Sequence, residues 1–211
     1  HLRDKTPCEI ALVPSSNDVL CSGYAQSKWV TDYMLGKINK QTHNIGIYRF
    51  GLLTEDSVNY KGLERSFVKL LVKRLENLDS LPEANKDLSI DTTPVDFAAR
   101  AFVALALERH EGIYHVSCNE KLTLKEIVLN LHKEFKIIPV SDWFTQYKNN
   151  VVTRLFSTLE SNSNRLNYNI FECSYVKRVG VENTYATVKP SDIDFQKYKE
   201  TILNIYKEDL I

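Results

Sequence analysis

The sequence is poor in glycine: it contains only seven glycines in 211 residues, and they form no Gly-x-Gly-x-x-Gly motif or near variant of one. That motif opens the first strand–helix turn of a dinucleotide-binding domain, where glycine lets the backbone approach a pyrophosphate at a helix N-terminus. A phosphate cradle of this kind is therefore excluded from these residues. The polar, loop-like start, from His1 to Lys5, leads us to expect a piece of a longer protein.

Cysteine is also scarce, and its spacing excludes the common zinc and redox motifs. No Cys-x-x-Cys pair and no histidine at metal-ligand spacing accompanies the four cysteines, which are Cys8, Cys21, Cys118 and Cys173. We therefore predict reduced thiols, as in a cytoplasmic protein, and no metal site.

Neither a charge of one sign nor a long apolar run stands out. Lysine plus arginine and aspartate plus glutamate number 27 each, so the balance favours neither nucleic acid nor an anionic membrane as a partner. No apolar run approaches the length of a membrane span, and the first residues are not a signal peptide. With 43% hydrophobic residues, the chain is predicted to be a soluble globular protein with a proper core.

Helical and strand periodicities alternate along the chain, which predicts an α/β fold with parallel strands. The predicted helices cover about residues 23–40, 63–75, 97–108, 124–135, 142–160 and 192–208, and the predicted strands about 44–50, 88–92 and 113–117. Residues 52–62 are predicted as a loop, 79–85 as a turn-rich connection and 161–188 as irregular.

Two helix starts carry capping residues. Thr123, with Glu126 three residues later, predicts a capping box at the start of a helix. Asp96 stands where an N-cap is expected, with a carboxylate able to accept free amides of the first turn, so we interpret it as a cap rather than as a substrate contact.

Tyr24 and Lys28 are the residues most suggestive of chemistry. Four positions apart on a helix, their side chains rise from the same face, about one turn from each other. A phenol there can give a proton to a carbonyl oxygen, and a neighbouring ammonium favours the phenolate that results. A bare Tyr-x-x-x-Lys spacing is common, so the flanking residues decide whether the pair is more than two surface neighbours.

Several runs, in order, resemble one family. The run GYAQSKWV at residues 23–30 looks like the active-site helix of thioester reductase domains, extended short-chain dehydrogenases of nonribosomal peptide synthetases, polyketide synthases, carboxylic acid reductases and aminoadipate reductases. RFGLL at residues 49–53 resembles the strand and loop over the nicotinamide, with Phe50 where that family usually has proline. TPVDFAARA at residues 93–101 and GIYHVS at 112–117 are similar to the segments that follow.

The resemblance implies the C-terminal part of a Rossmann-like extended short-chain dehydrogenase plus a smaller, mostly helical substrate domain. Residues 1–85 would be the remnant of the NADP-binding domain that carries the Tyr-x-x-x-Lys helix. Residues 86–211 would be mostly the substrate-binding part, with some strands returning to the sheet. The active-site serine or threonine of the family would lie upstream of this chain.

The resemblance also implies roles for individual residues. Tyr24 and Lys28 would be catalytic and would contact the cofactor together with Phe50, Gly51 and Leu52. The implied substrate contacts are Arg49, Asp56 and Ser57. From the residues alone, Arg49 could equally form a salt bridge at the end of its strand.

The implied activity is that of a thioester reductase. In the full-length parent, NADP(H) would serve the release of an acyl or peptidyl group from the phosphopantetheine of a carrier protein as an aldehyde or alcohol. The basic stretch of Lys69, Lys73 and Arg74 is a candidate carrier contact, although such stretches are usually solvated faces. We expect the 211 residues by themselves to be inactive and not to bind NADPH.

Two alternatives stay open. One is an extended short-chain dehydrogenase acting on fatty acyl-CoA or a nucleotide sugar, although Ser27-Lys28-Trp29 argues against the nucleotide-sugar enzymes. The other is a module that docks a carrier protein without catalysing a reaction.

Overall fold

The computed structural model describes residues 23–42, 45–62, 66–83, 89–108, 111–132, 134–148 and 180–209, with side chains from residue 26 onward. The helices are α1 (Gly23–Thr42), α2 (Phe67–Leu75), α3 (Val95–Leu107), α4 (Leu124–Leu131), α5 (Val140–Gln146), α6 (Glu182–Thr187) and α7 (Phe195–Glu208). The strands are β1 (Gly46–Phe50), β2 (Leu53–Thr54), β3 (Ser80–Pro82), β4 (Ser89–Asp91), β5 (Thr93–Pro94), β6 (Gly112–Val116), β7 (Lys121–Thr123) and β8 (Lys136–Ile138).

A parallel pair of strands, β1 and β6, organises the part of the chain that positions the candidate site. Gly46 lies opposite Gly112 and Phe50 opposite Val116, so the two strands end at the same level. Parallel neighbours need a crossover connection, and the segment between these two includes α3. The predicted α/β class, with parallel strands at about 44–50 and 113–117, is confirmed.

Three shorter pairs complete the described strands. β2 pairs in parallel with β5, β3 in parallel with β8, and β4 antiparallel with β7. The prediction of a turn-rich connection at 79–85 is wrong for β3, whose three residues are all buried. Its proline suggested a turn, but a strand with one hydrogen-bonded neighbour can accept a residue that lacks an N–H group.

Two apolar clusters form the core of the described part of the chain. The larger joins α2, α4, α5 and α7, with Trp143 and Tyr198 among its largest fully buried side chains, and the indole N–H of Trp143 donates to the Ser80 carbonyl at 3.0 Å. The smaller lies between α3 and β6, around Phe97 and Tyr114. The division at residues 85 and 86 stays a prediction; β1, from the first segment, pairs with β6, from the second.

The helix ends separate a correct prediction from a wrong one. Thr123 forms the predicted capping box: its hydroxyl accepts from the Glu126 amide, while the Glu126 carboxylate accepts from the Thr123 amide. Asp96, by contrast, is not an N-cap, because α3 begins at Val95 after Pro94 and has no side-chain cap. The prediction for 161–188 is wrong at α6, which lies within that segment, and the rest of the segment up to residue 179 is outside the described residues.

Candidate functional site

Helix α1 carries the Tyr-x-x-x-Lys pair. Tyr24 belongs to its first turn, with a side chain outside the described part, and Lys28 is exposed. Trp29 stacks on Tyr33 with ring centroids 5.4 Å apart. Asp32 lies one turn beyond Lys28, so Tyr24, Lys28 and Asp32 follow one another along the same side of the helix. A contact of Asp32 therefore also holds the side of α1 that carries Tyr24 and Lys28.

Arg49, on β1, connects this side of α1 to the sheet. Its guanidinium donates to both carboxylate oxygens of Asp32, at 2.7 and 2.9 Å, and lies 3.0 Å from Nε2 of the buried His115 on β6. A guanidinium only donates, so Nε2 accepts and the proton sits on Nδ1, which lies 2.7 Å from the Gly180 carbonyl oxygen. Arg49 thus forms a strand-end ion pair, and its role as a substrate contact stays a prediction.

We expect Asp32→Asn to lower the free energy of unfolding by about 1.5–3 kcal/mol, the range for hydrogen bonds to charged groups. Urea denaturation measures the change. Asp209→Asn is the matched control, because Asp209 pairs with Lys69 at 2.8 Å but its side chain is 52% exposed. An exposed pair contributes at most about 1 kcal/mol. Equal losses in the two variants would contradict the anchoring role.

The predicted cofactor contacts Phe50, Gly51 and Leu52 lie at the carboxyl end of β1. Ligands of open α/β sheets bind outside the carboxyl ends of the strands. Phe50 is 45% exposed there, and the Gly51 amide donates to the Val116 carbonyl at the end of β6, at 2.9 Å. The structure therefore brings these three residues to the edge where a ligand is expected, and their contact with a cofactor stays a prediction.

In the loop after β2, the Asp56 carboxylate forms hydrogen bonds within the loop itself. The Asp56 carboxylate accepts from the amides of Val58, Asn59 and Lys61 at 3.0, 2.6 and 2.8 Å. These bonds, led by that of Asn59, lower the pKa of the Asp56 carboxyl. Its predicted substrate contact stays a prediction, and the observed role is to close the loop.

Ser57 is tied to α3 by Asp96. Both the amide and the hydroxyl of Ser57 donate to the Asp96 carboxylate, each at 2.7 Å. The carboxylate therefore caps a loop from another part of the chain instead of its own helix. A substrate contact of Ser57 stays a prediction.

An open cleft of about 490 Å³ borders this loop. Arg100 lines the cleft, donates to Asp192 at 2.7 Å, and has its guanidinium 3.9 Å from the Asp96 carboxylate. The lining residues are Ser57, Val58, Tyr60, Asp96, Arg100, Asp192, Ile193, Asp194 and Lys197. Among the predicted site residues whose side chains the structure describes, Ser57 alone lines the cleft.

The sequence interpretation missed two carboxylates that accept hydrogen bonds within the fold, the half-buried Asp91 and the buried Glu55. Asp91 accepts from Leu52, Thr93 and Ser117 beside the Gly51 turn, and burial raises the pKa of its carboxyl. Glu55 is 1% exposed and accepts a hydrogen bond from Tyr206. An aspartate inside the strand-like run Ser-Ile-Asp-Thr-Thr was the available signal for the first of them.

Neither a metal centre nor a membrane span emerges from the described residues. Within those ranges, no group of three or more His, Cys, Asp and Glu side chains could hold a metal ion. No helix in that part of the chain is long and apolar enough to cross a membrane.

Parts of the sequence are similar to known proteins. Residues 6–102 match the NAD-binding family model described as male sterility protein. A linear gramicidin synthase polypeptide of Brevibacillus parabrevis is 31% identical over 46% of this chain and 2% of its own length. The large subunit of L-2-aminoadipate reductase of Candida glabrata is 24% identical over 72% of this chain and 12% of its own length.

A solved structure agrees on the fold. A thiolation-reductase di-domain from an archaeal non-ribosomal peptide synthetase superimposes with a TM-score of 0.63, covering 98% of this chain and 45% of that one at 14% identity, which shows the shared Rossmann-like fold. This chain thus spans less than half of that structure and a small part of both relatives. The resemblance predicted from the motifs is confirmed: residues 6–102 match the NAD-binding family model described as male sterility protein, and parts of the chain are similar to a peptide synthetase polypeptide and to an aminoadipate reductase.

Proposed function

We propose that the full-length protein is an NADPH-dependent thioester reductase, which releases an acyl or peptidyl group from a carrier protein as an aldehyde or alcohol. One observation carries the proposal: the helix bearing Tyr24 and Lys28 leads directly into a parallel strand whose carboxyl end presents Gly51. The family match over residues 6–102 supports a nicotinamide cofactor in general. The choice of NADPH and of a thioester is the proposal.

The residues present fit the nicotinamide end of such a cofactor. Lys28 is exposed on α1, and the Phe50 side chain is exposed at the strand end. We assign Lys28 to the nicotinamide ribose and the turn at Gly51 and Leu52 to the nicotinamide ring. When bound, the cofactor supplies a hydride to the carbonyl carbon of the thioester.

Tyr24 and Lys28 handle the proton. Tyr24 hydrogen-bonds the carbonyl oxygen and donates its phenolic proton as negative charge develops there. The positive charge of Lys28 favours the phenolate left behind. The product of this addition is a hemithioacetal. Its hydroxyl group loses its proton as the carbon–sulfur bond breaks, which gives the aldehyde, and the phosphopantetheine sulfur takes up a proton and leaves with the carrier as a thiol.

The proposed partner is an acyl or peptidyl carrier protein with a phosphopantetheine-linked substrate. The solved relative pairs a thiolation domain with a reductase domain, which supports this class of partner. Lys73 and Arg74 are exposed on α2 and are available to an acidic surface, whereas Lys69 is bound to Asp209. The carrier contact on this helix therefore rests on the first two.

The test is a reduction assay with the full-length protein. We expect NADPH oxidation and aldehyde formation with an acyl group on a phosphopantetheinylated carrier protein, and much less with the same acyl group on free coenzyme A. NADH in place of NADPH tests the choice of cofactor.

Each alternative has its own outcome in this assay. Equal turnover of acyl-CoA would favour a fatty acyl-CoA reductase, and turnover of a nucleotide sugar would favour that class of enzyme. Binding of the carrier protein without NADPH oxidation would favour a module that docks a carrier protein and catalyses no reaction.

A further inference from the structure

Asp91 occupies a special place in the fold. It is the last residue of β4, and it lies between the residues that directly follow the two parallel strands: Gly51 after β1 and Ser117 after β6. Three donors converge on its carboxylate. Oδ2 accepts from the Leu52 amide and from the Thr93 hydroxyl, both at 3.0 Å, and Oδ1 accepts from the Ser117 hydroxyl at 3.0 Å.

The donors are themselves fixed. The Thr93 hydroxyl accepts from the Cys118 amide at 3.3 Å, and the Ser117 hydroxyl accepts from the Asn119 amide at 3.0 Å. Each hydroxyl therefore directs its single proton to the carboxylate. Asp91 cannot turn away without leaving buried donors unsatisfied, which is costly.

The Gly51 backbone packs directly against this carboxylate. A Cβ atom built on Gly51 would lie 1.9 Å from Oδ2 of Asp91 and 2.7 Å from the Thr93 hydroxyl oxygen. The Leu52 carbonyl accepts from the Thr93 amide at 3.0 Å, so both backbone polar groups of Leu52 are used inside the chain. The turn can thus support a ligand by its shape, and not by donating the Leu52 N–H group.

We propose that Asp91 is a positioning residue, which sets the path of the Gly51–Leu52 turn and thereby the seat of the nicotinamide ring. The inference rests on the proposed function, because that function places the turn beside the cofactor. Asp91 acts through the turn and touches no reacting atom. Displacing a positioning element by about 1 Å can cost about 100-fold in rate.

The test compares Asp91→Ala with Asp91→Asn in the full-length protein. In Asp91→Ala we expect the Kd for NADPH to rise and kcat/KM for NADPH to fall by roughly 10- to 100-fold. The KM for the acyl thioester should not change. The isotope effect with deuterium at the transferred position of NADPH should increase, because hydride transfer becomes slower than the other steps.

Asp91→Asn should lose much less, since an amide oxygen can still accept from Leu52 and the amide nitrogen can donate to Ser117. Asp142→Ala, at an exposed aspartate of α5, is the control and should match the wild type. Thermal unfolding of each variant shows whether it is folded at the assay temperature, and Asp91→Asn decides the matter if Asp91→Ala does not fold. In that case a Kd for NADPH and an isotope effect equal to those of the wild type would overturn the inference, and smaller shifts in the same direction would support it.

The outcomes separate the two proposals. If Asp91→Ala lowers only the unfolding temperature, with NADPH affinity and isotope effect unchanged in the folded protein, the positioning role is wrong. If the wild type binds NADPH but reduces no thioester, the proposed function fails, and the NADPH titration still decides the role of Asp91. If the wild type binds no NADPH, both fail.

Discussion

Tyr24→Phe is expected to lower kcat for thioester reduction by about 100-fold or more, the contribution of a general acid in most enzymes. Phenylalanine keeps the aromatic ring and removes the hydroxyl group that would protonate the carbonyl oxygen. The affinity for NADPH should fall much less than kcat, because phenylalanine keeps the aromatic ring of the predicted cofactor contact and removes only the proton that the reaction needs. Single-turnover kinetics with NADPH and a carrier-bound thioester measure the loss.

Tyr33→Phe is the matched control on the same helix. Tyr33 stacks on Trp29, and a phenylalanine ring keeps that contact. It should retain the wild-type rate. Full activity of Tyr24→Phe, or an equal loss in both variants, would contradict the assignment of Tyr24 as the proton donor.

Gly51→Ala should destabilise the protein by about 1–3 kcal/mol, the usual cost of forcing an extra carbon into a packed site. The reason is steric: the new methyl group would lie 1.9 Å from a carboxylate oxygen that three donors hold in place. Either the turn or the Asp91 side chain must move, and the carboxyl end of β1 changes shape in both cases. Urea unfolding measures the stability, and NADPH titration measures the effect on the proposed seat.

The double variant Gly51→Ala with Asp91→Ala isolates the cause. Removing the carboxylate opens space for the methyl group. Gly51→Ala should therefore lower the free energy of unfolding less in the Asp91→Ala variant than in the wild type. Strictly additive losses would show that the clash with Asp91 is not what makes glycine necessary at this turn.

Local patterns account for what could be predicted correctly. Helix α1, strands β1 and β6 and the capping box of Thr123 follow from residues within a few positions of one another, and the structure has all of them. The order of the motifs was enough to predict the resemblance, because the helix that carries Tyr24 and Lys28 and the strand after it are contiguous in sequence. Tyr24 and Lys28 could be paired for the same reason: helical geometry fixes their relative placement.

Contacts between distant residues account for what could not be predicted. Aspartate is a common N-cap residue, which is why Asp96 was interpreted as a cap. Its partner Ser57 lies 39 positions earlier, and a hydrogen bond over that separation leaves no local pattern in the sequence. For Arg49 the sequence left a substrate contact and a strand-end salt bridge equally open, because its partner Asp32, 17 positions away, depends on how α1 packs on the sheet. Asp91 was missed because its role exists only where the ends of β1 and β6 meet.

By itself, then, the sequence determined the resemblance to reductase domains, the α/β class and the helix that carries Tyr24 and Lys28, since these depend on short-range periodicity and spacing. Only the tertiary structure decided which polar groups are used up in holding the fold and which stay available at the carboxyl end of β1. The physical reason is that a carboxylate caps a loop, joins an ion pair or positions a turn according to the donors that packing brings to it. The donors of Asp96 and Asp91 include groups from other parts of the chain.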